Sequence, residues 1–423
     1  MKKFLALIIA LVMALSLVAC GEQKQPETPD VPDDGDQPQT ATIKVGFITL
    51  HDENSTYDLN FINAAKEAIA NLGLTENDYI LKTNVPEGQE CYDAAAELAD
   101  AGCNIIFADS FGHEPYMIQA AKDFPNVQFC HSTGTRAQTE GLSNYHNAFS
   151  SIYEGRYLAG IAAGLKLNEM IEAGQFTADQ AKMGYVGAFT YAEVVSGYTS
   201  FYLGAKSVCP TVTMDVTFTG SWYDETLEKE GAQKLIAGGC KLISQHADSL
   251  GAPTACENAG VPNVSYNGST ITAGPNTYII SSRIDWAPYY EMAIKAVMDG
   301  TEIPADYTGN LSTGSVVLTD LNTAVAAEGT QAAIDEAKAK LESGELHVFD
   351  CSTFTVSGAN VKDTMKVDAD GHLTSYMADV NTDEAYTGDT EVVHDGYFSE
   401  SEFRSAPYFD LFIDGINTLD TAF

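Results

Sequence analysis

A strand-then-helix rhythm that runs through the chain once and then restarts predicts an α/β fold of two Rossmann-like lobes. A ligand cleft is expected between the lobes and a hairpin-rich extension after them. Three observations carry the prediction. Apolar, β-branched runs of strand length alternate with segments whose apolar residues recur at helical spacing, which implies parallel pairing and sheets covered on both faces. The alternation begins again after about residue 180. The chain of 423 residues, 45% hydrophobic and 10% aromatic, is too long for one ordinary core.

The N-terminus reads as an export signal. Met1-Lys2-Lys3 supplies positive charge, Phe4 to Ala19 is apolar, and the run closes on Leu17-Val18-Ala19-Cys20-Gly21. This describes a signal peptide over 1–19, shorter than the roughly 20 residues of a spanning helix. A cysteine at the +1 position resembles the bacterial lipobox, so Cys20 is the expected lipidation site and the extracytoplasmic face of the cell membrane the expected location. Residues 20–41 hold Pro26, Pro29, Pro32 and Pro38, six acidic residues and no aromatic one. They cannot bury enough apolar surface to offset ordering entropy and read as a disordered tether with a reach on the order of 60 Å.

The first lobe is expected over 42–150 with part of 275–320. KVGFITL (44–50) reads as a strand, and Phe61, Ala64, Ala65, Ala68, Ile69 and Leu72 mark a helix, with Asp58 as its N-cap and Gly73 as its stop. A helix over 91–101, strand 104–110, helix 114–124 and strand 127–132 follow. A long helix, 151–168, leads into the second lobe, expected over 151–274 with part of 300–345. Its strands are expected at 182–189, 211–218, 240–246 and 263–268, and its helices at 192–206 and 225–237. Residues 346–423, rich in Thr, Asp and Gly with several turn signals, read as an extension packed on one lobe.

Lys and Arg number 22 against 59 Asp and Glu, a net charge of −37. That balance repels nucleic acid and anionic lipid, so neither is an expected partner. Of eight cysteines, seven remain once Cys20 is acylated; an odd number cannot all pair, and none has a metal-binding spacing. Cys91, Cys103, Cys130, Cys209 and Cys240 lie in apolar patterns and are expected to pack as buried thiols.

In open α/β sheets ligands bind beyond the carboxyl ends of the strands. Here those ends offer His51 to Tyr57, including Asn54 and Ser55, then Ser110, Phe111 and His131 from the first lobe. Phe189, Tyr191, Glu193, Trp222, His246, Asp248 and Tyr266 come from the second. Aromatic, His and carboxylate residues abound, whereas Lys and Arg are scarce. No Gly-rich phosphate loop opens a helix and no arginine awaits a carboxylate ligand. Stacking contributes roughly 1–3 kcal/mol per base, and Glu193 or Asp248 can accept from ring N–H groups, so a flat, neutral heterocycle fits best. His51, Asp52, Glu53, His113 and Glu114 lack metal-ligand spacing, and no metal, cofactor or catalytic residue is expected.

The stretches HDENSTYDLNFINAAKEA, AFSSIYEGRYLAGIAAG, MGYVGAF, AEVVSGYTSFYLGAKSVCP, TFTGSWYDETLEKEGAQKLIAGG, ISQHADS and IDWAPYY resemble the basic-membrane-protein (Bmp/PnrA-like) family. That family comprises substrate-binding lipoproteins of ABC importers, mostly binding purine bases or nucleosides, and the likeness covers about residues 43–320. It implies a type I periplasmic-binding fold with three crossovers, an ABC permease as partner and a monomeric receptor. It places Tyr57 at the stacking position of the first loop, Trp222 as the second aromatic, and Glu193 and Asp248 near the ring edge; Trp286 stands in the IDWAPYY stretch. AEVVSG, SWYD and QHADS are most similar to the branch for free bases such as adenine. Two departures, His131-Ser132 for the common Asp and Glu53-Asn54 for Asp-Lys, point away from ribose contacts and toward a base. The competing readings are a nucleosidase using Asp52 or Glu53 with His131, a sensor for a membrane kinase, a transcriptional regulator of the same fold, and riboflavin as ligand. Neither a nucleophile elbow nor a DNA-binding helix-turn-helix supports the enzyme or the regulator.

Overall fold

The computed structural model describes residues 43–380 and 390–423; the expected signal, Cys20 and the tether lie outside them. Strands β1 (Val45–Ile48), β2 (Tyr79–Lys82), β3 (Ile105–Ala108), β4 (Gln128–Ser132) and β5 (Tyr145–Ser150) follow one another through the first lobe. β6 (Lys182–Gly187), β7 (Thr213–Phe218), β8 (Leu242–His246), β9 (Asn263–Tyr266) and β10 (Tyr278–Ile284) do so through the second. β11 (Asp306–Gly309) then returns to the first lobe and β12 (Val316–Leu318) to the second, giving sheet orders β11-β5-β4-β3-β1-β2 and β12-β10-β9-β8-β6-β7. All neighbours pair in parallel except β10 with β12. The chain crosses between lobes near Ser151, near Trp286 and between β11 and β12, the three crossovers of the type I fold. The return to the first lobe, expected from about 275, comes only after β10.

Parallel strands buried on both faces need apolar residues throughout, and β1 and β3 comply at every position. β5 escaped the apolar-run criterion because its buried face includes His146 and Asn147, whose polar atoms are satisfied: His146 Nδ1 pairs with the Pro304 carbonyl at 3.1 Å, and Asn147 Oδ1 accepts from Ala137 N–H at 2.6 Å. β10 escaped it through Ser281 and Ser282, both fully buried. The first helix is Thr56–Asn71, capped by Ser55 and not by Asp58: the Ser55 hydroxyl accepts from Asp58 N–H at 3.2 Å, and Gly73 beyond the helix takes φ 72°.

The extension corrects the expectation of packing on one lobe. β13 (Met365–Val367), β14 (Leu373–Ala378), β15 (Thr390–Glu391), β16 (Val393–His394) and β17 (Tyr397–Phe398) form short antiparallel pairings around Phe349, Phe398 and Phe409. Ser405 N–H then donates to Asp306 of β11 at 2.8 Å, in the first lobe. Finally β18 (Ile416–Thr418) adds a parallel strand to β7, at the far edge of the second sheet. Cys91, Cys103, Cys130, Cys209, Cys240, Cys256 and Cys351 are all buried and unpaired. Among the described residues no helix is long and apolar enough to cross a membrane.

Candidate ligand-binding site

The two lobes meet across the cleft in a closed arrangement. Thr56, on the first helix, donates its N–H at 3.0 Å and its hydroxyl at 3.2 Å to the carbonyl of Asp248 after β8. The Phe111 ring of the first lobe stacks on Tyr191 of the second at 5.2 Å; Tyr191 stacks in turn on Phe189, which meets Trp222 edge-on at 4.9 Å. Between these contacts lies a small cavity of about 20 Å³ in this closed arrangement.

Its first-lobe wall is Tyr57, Asp58, Ser110, Phe111 and Thr133. The Tyr57 hydroxyl donates to the Asp109 carbonyl at 2.7 Å, which pins the ring. Asp58 is buried, and burial alone would raise its pKa, yet bonds from His51 and Ser55 hold it below the usual carboxylate range. Behind it, burial and the Asp58 charge push Asp109 well above that range, so the pair carries one charge. Thr133 has φ 70°, an outlier for a β-branched residue and a conformation retained at cost.

The second-lobe wall is Glu193, Trp222, His246 and Asp248. Glu193 sits in the first turn of helix Ala192–Val208, where the helix dipole favours an acid. Its carboxylate lies 3.4 Å from His246 Nε2. On the other side of His246 is Arg156, a fully buried guanidinium on helix Ile152–Glu172, 3.1 Å from Nδ1 and 3.6 Å above the Tyr266 ring. It also donates to the Tyr185 hydroxyl and the Gln245 carbonyl. Arginine only donates, so Nδ1 accepts, the imidazole proton sits on Nε2, and Glu193 receives it. Burial, with Arg156 adding to it, depresses the His246 pKa and keeps the ring neutral. Asp248 caps no helix, since Leu250 occupies that position in Gly251–Ala259. Burial, then the charges of Asp58 and Glu228, drive its carboxyl well above the usual range, and Asn267 Nδ2 donates to it at 3.1 Å. The cavity therefore offers the carboxylates of Asp58 and Glu193, one carboxyl, that of Asp248, biased to its protonated donor form, and aromatic faces; among the described residues no lysine or arginine lines it.

Of the residues offered by the strand ends, His51, Tyr57, Ser110, Phe111, Glu193, Trp222, His246 and Asp248 converge on this cavity. The others lie elsewhere. Asn54 is exposed and bonded to Asp52, and Ser55 is consumed as a helix cap. His131 is buried with Nε2 on the Ser110 carbonyl at 2.7 Å. Tyr266 lies behind His246, its ring against Arg156. Trp286 is buried against Phe61 at 4.5 Å, packing the second crossover. Arg156 escapes the strand-end rule because it arises from a helix; its signal in the sequence is one arginine inside the apolar run IYEGRYLAGIAAG.

A second cavity of about 470 Å³, open to solvent, adjoins the first and shares Phe111, Thr133 and Glu193 with it. Its outer wall comes from the extension: Arg404, Ala406, Pro407 and Asp410. No sequence signal connected that segment to the cleft.

Comparison with known proteins accords with this architecture. Residues 46–348 match the family described as "ABC transporter substrate-binding protein PnrA-like". The chain is 32% identical over 310 residues to a purine-binding protein of Brucella abortus, covering 73% of this chain and 83% of that one. It is 33% identical over 222 residues to a putative ABC transporter glucose-binding protein of Haloferax volcanii, covering 52% of this chain and 53% of that one. A solute-binding protein of an ABC transporter system from Aeropyrum pernix has the same fold, with TM-score 0.60 at 18% identity over 75% of this chain and 94% of that one. With its two crossover-linked lobes closed over an aromatic, acid-lined cavity, the chain belongs to the PnrA-like family of ABC transporter substrate-binding proteins.

Proposed function

We propose that this protein binds a purine, with the edge pattern of adenine, between its lobes and delivers it to a membrane permease. One observation carries the reading: Glu193, held as an acceptor by His246, and Asp248, biased to a donor, stand at a cavity with the rings of Tyr57 and Trp222. A heterocycle edge that donates from an exocyclic amine and accepts at a ring nitrogen matches such a pair, and its faces match the aromatic walls. The purine-binding protein of Brucella abortus supports the same class. Ligand contact with both lobes favours closure, which presents the joined surface to the permease. The receptor has no catalytic part in this scheme, a reading supported by Asp52 being engaged by Asn54 and Asn84 and His131 by Ser110.

Thermal melts and calorimetry with adenine, hypoxanthine, adenosine, guanosine, riboflavin and glucose test it. Adenine at 100 times its dissociation constant is expected to add about 2.7 kcal/mol of stability. Trp222→Ala is expected to cost at least ~1 kcal/mol of purine binding while the protein still melts cooperatively. No shift with any purine, or a shift with glucose alone, sinks the reading.

The same proposal holds the receptor at the membrane through a lipid on Cys20, with residues 21–41 as a spacer and acidic lobe surfaces facing basic permease loops. The lipobox-like run Leu17-Val18-Ala19-Cys20 supports it. In a bacterial host the protein is expected in the detergent-soluble membrane fraction and Cys20→Ser in the soluble one; identical partitioning of the two rejects the anchor.

A further inference from the structure

We propose that residues 400–405 of the C-terminal extension splint the hinge and hold the lobes in their closed arrangement independently of any ligand. The inference goes beyond the purine reading and does not depend on it. It starts at the crossovers. The first and third run side by side, because Ser151 N–H donates to the Gly309 carbonyl at 2.8 Å and Leu311 N–H to the Glu154 carboxylate at 3.0 Å. A hinge bends by changing φ and ψ at such element-terminal residues, so a rigid link laid beside them restricts the motion.

The extension lands on both crossovers. On the second-lobe side, the Tyr153 hydroxyl at the start of helix Ile152–Glu172 donates to the Glu400 carbonyl at 3.1 Å. On the first-lobe side, Ser405 N–H donates to Asp306 of β11 at 2.8 Å, and Gln138 reaches the Phe403 carbonyl at 3.5 Å. The span between these points is stiff. Glu400, Arg404 and Ser405 are buried, and Ser401 holds φ 64°, a conformation that persists only where the surroundings over-determine it. Glu402 N–H donates to the Tyr408 hydroxyl at 3.1 Å and Tyr408 N–H to the Glu400 carboxylate at 3.3 Å. Arg404 donates from Nε to the Ala406 carbonyl at 3.0 Å and from Nη2 to the Pro407 carbonyl at 2.8 Å, which fixes the turn that follows.

The rest of the extension is fastened to the second lobe. Lys206 of helix Ala192–Val208 donates to the Thr353 carbonyl at 3.0 Å, and Leu419 N–H to the Val216 carbonyl of β7 at 2.8 Å. Asp420 accepts from the Thr217 hydroxyl and from Phe218 N–H, each at 2.7 Å. The extension therefore travels with the second lobe, and the bond from Ser405 to Asp306 is a grip on the first. Opening the cleft must break that grip or bend a buried segment, a cost added to that of the crossovers themselves. Residues 400–405 lie beyond 348, where the match to the family ends, so the splint is an addition to the common core.

Electron-spin distance measurements on the ligand-free Cys20→Ser chain test this, with nitroxides on Glu67→Cys of the first lobe and Glu230→Cys of the second. Both positions are exposed, whereas the cysteines among the described residues are buried, so the introduced pair takes the label. The parent is expected to show one dominant short distance. Asp306→Ala and Ser405→Pro remove the acceptor and the donor of the same bond. Each is expected to raise the long-distance population at least about threefold, and the double variant to raise it no further. Asp306→Asn keeps an acceptor oxygen and is expected to stay closed. Asp78→Ala, which removes the acceptor of Thr75 N–H within the first lobe alone, is expected to stay closed as well. Melting curves verify folding, and where only one of the two cutting variants folds, that one decides. A dominant long distance in the parent, no opening in a folded cutting variant, or further opening in the double variant overturns the splint. So does equal opening in Asp306→Asn or Asp78→Ala, or loss of folding in both cutting variants, and none of these outcomes touches the purine reading.

Discussion

Arg156 shows how a buried charge can set the chemistry of a cavity it does not line. Among the described residues no carboxylate comes within ion-pair range of it; its partners are Tyr185, Gln245, His246 and the Tyr266 face. The neutral His246 relays its influence to Glu193, and the relay makes a prediction with a definite sign. Burial and Arg156 lower the His246 pKa while Glu193 raises it. In Arg156→Met one lowering influence is gone and Glu193 remains, so the imidazole pKa is expected to rise, as read by NMR titration of the ring protons. Replacing a buried cation by an apolar side chain of similar length is expected to leave stability within about 2 kcal/mol. An unchanged His246 titration rejects the relay. Eight of the strand-end residues, from His51 to Asp248, do reach the cavity, because the carboxyl-end rule is geometric. The others were lost to caps and packing: a Ser at a loop end reads the same whether it binds a ligand or caps the next helix, as Ser55 does.

At the scale of elements, the helices Ile152–Glu172 and Ala192–Val208 pack so closely that their glycines are required. A Cβ on Gly204 would lie 2.0 Å from the Tyr157 carbonyl oxygen, and one on Gly160 would lie 2.1 Å from that of Phe201. Backbone cannot yield as a side-chain tip can, so Gly204→Ala is expected to destabilise by about 3 kcal/mol in thermal melts. Gly231, in helix Glu225–Ala237, meets only side-chain atoms at 3.4 Å or beyond, so Gly231→Ala is expected to be neutral or to stabilise by about 0.5–1 kcal/mol. Equal effects of the two substitutions would show that helix propensity, not the close approach, governs Gly204. Most helices were readable from apolar spacing and most central strands from apolar runs. β5 and β10 were hidden because buried polar residues, His146 and Asn147 in one and Ser281 and Ser282 in the other, interrupt their apolar runs.

For the whole molecule, buried acids set a pH dependence. Burial raises Glu154 and Glu228 to about 7 and Glu400 to about 8. A carboxyl whose pKa is raised in the folded state binds its proton more readily there than in the unfolded chain. The stabilisation is therefore complete below the unfolded value near 4.5 and is lost as pH rises through about 7 to 8. The melting temperature is expected to fall between pH 5 and pH 8.5, the more so against a net charge of −37, and Glu228→Gln to flatten that slope. A melting temperature that rises over this interval contradicts the assignment.

The repeated βα rhythm determined two α/β lobes and a cleft at the carboxyl ends of their strands, because periodicity and sheet topology are local consequences of side-chain pattern. The aromatic and acidic character of the cleft was likewise written in the residues after each strand. Only the tertiary structure decided which of those residues share a cavity, because that depends on which polar groups caps and packing consume first. It alone placed Arg156 behind His246 and carried the C-terminal extension from β11 to β7, past the cleft mouth. Contacts between segments so distant in the chain leave no periodic trace in either one.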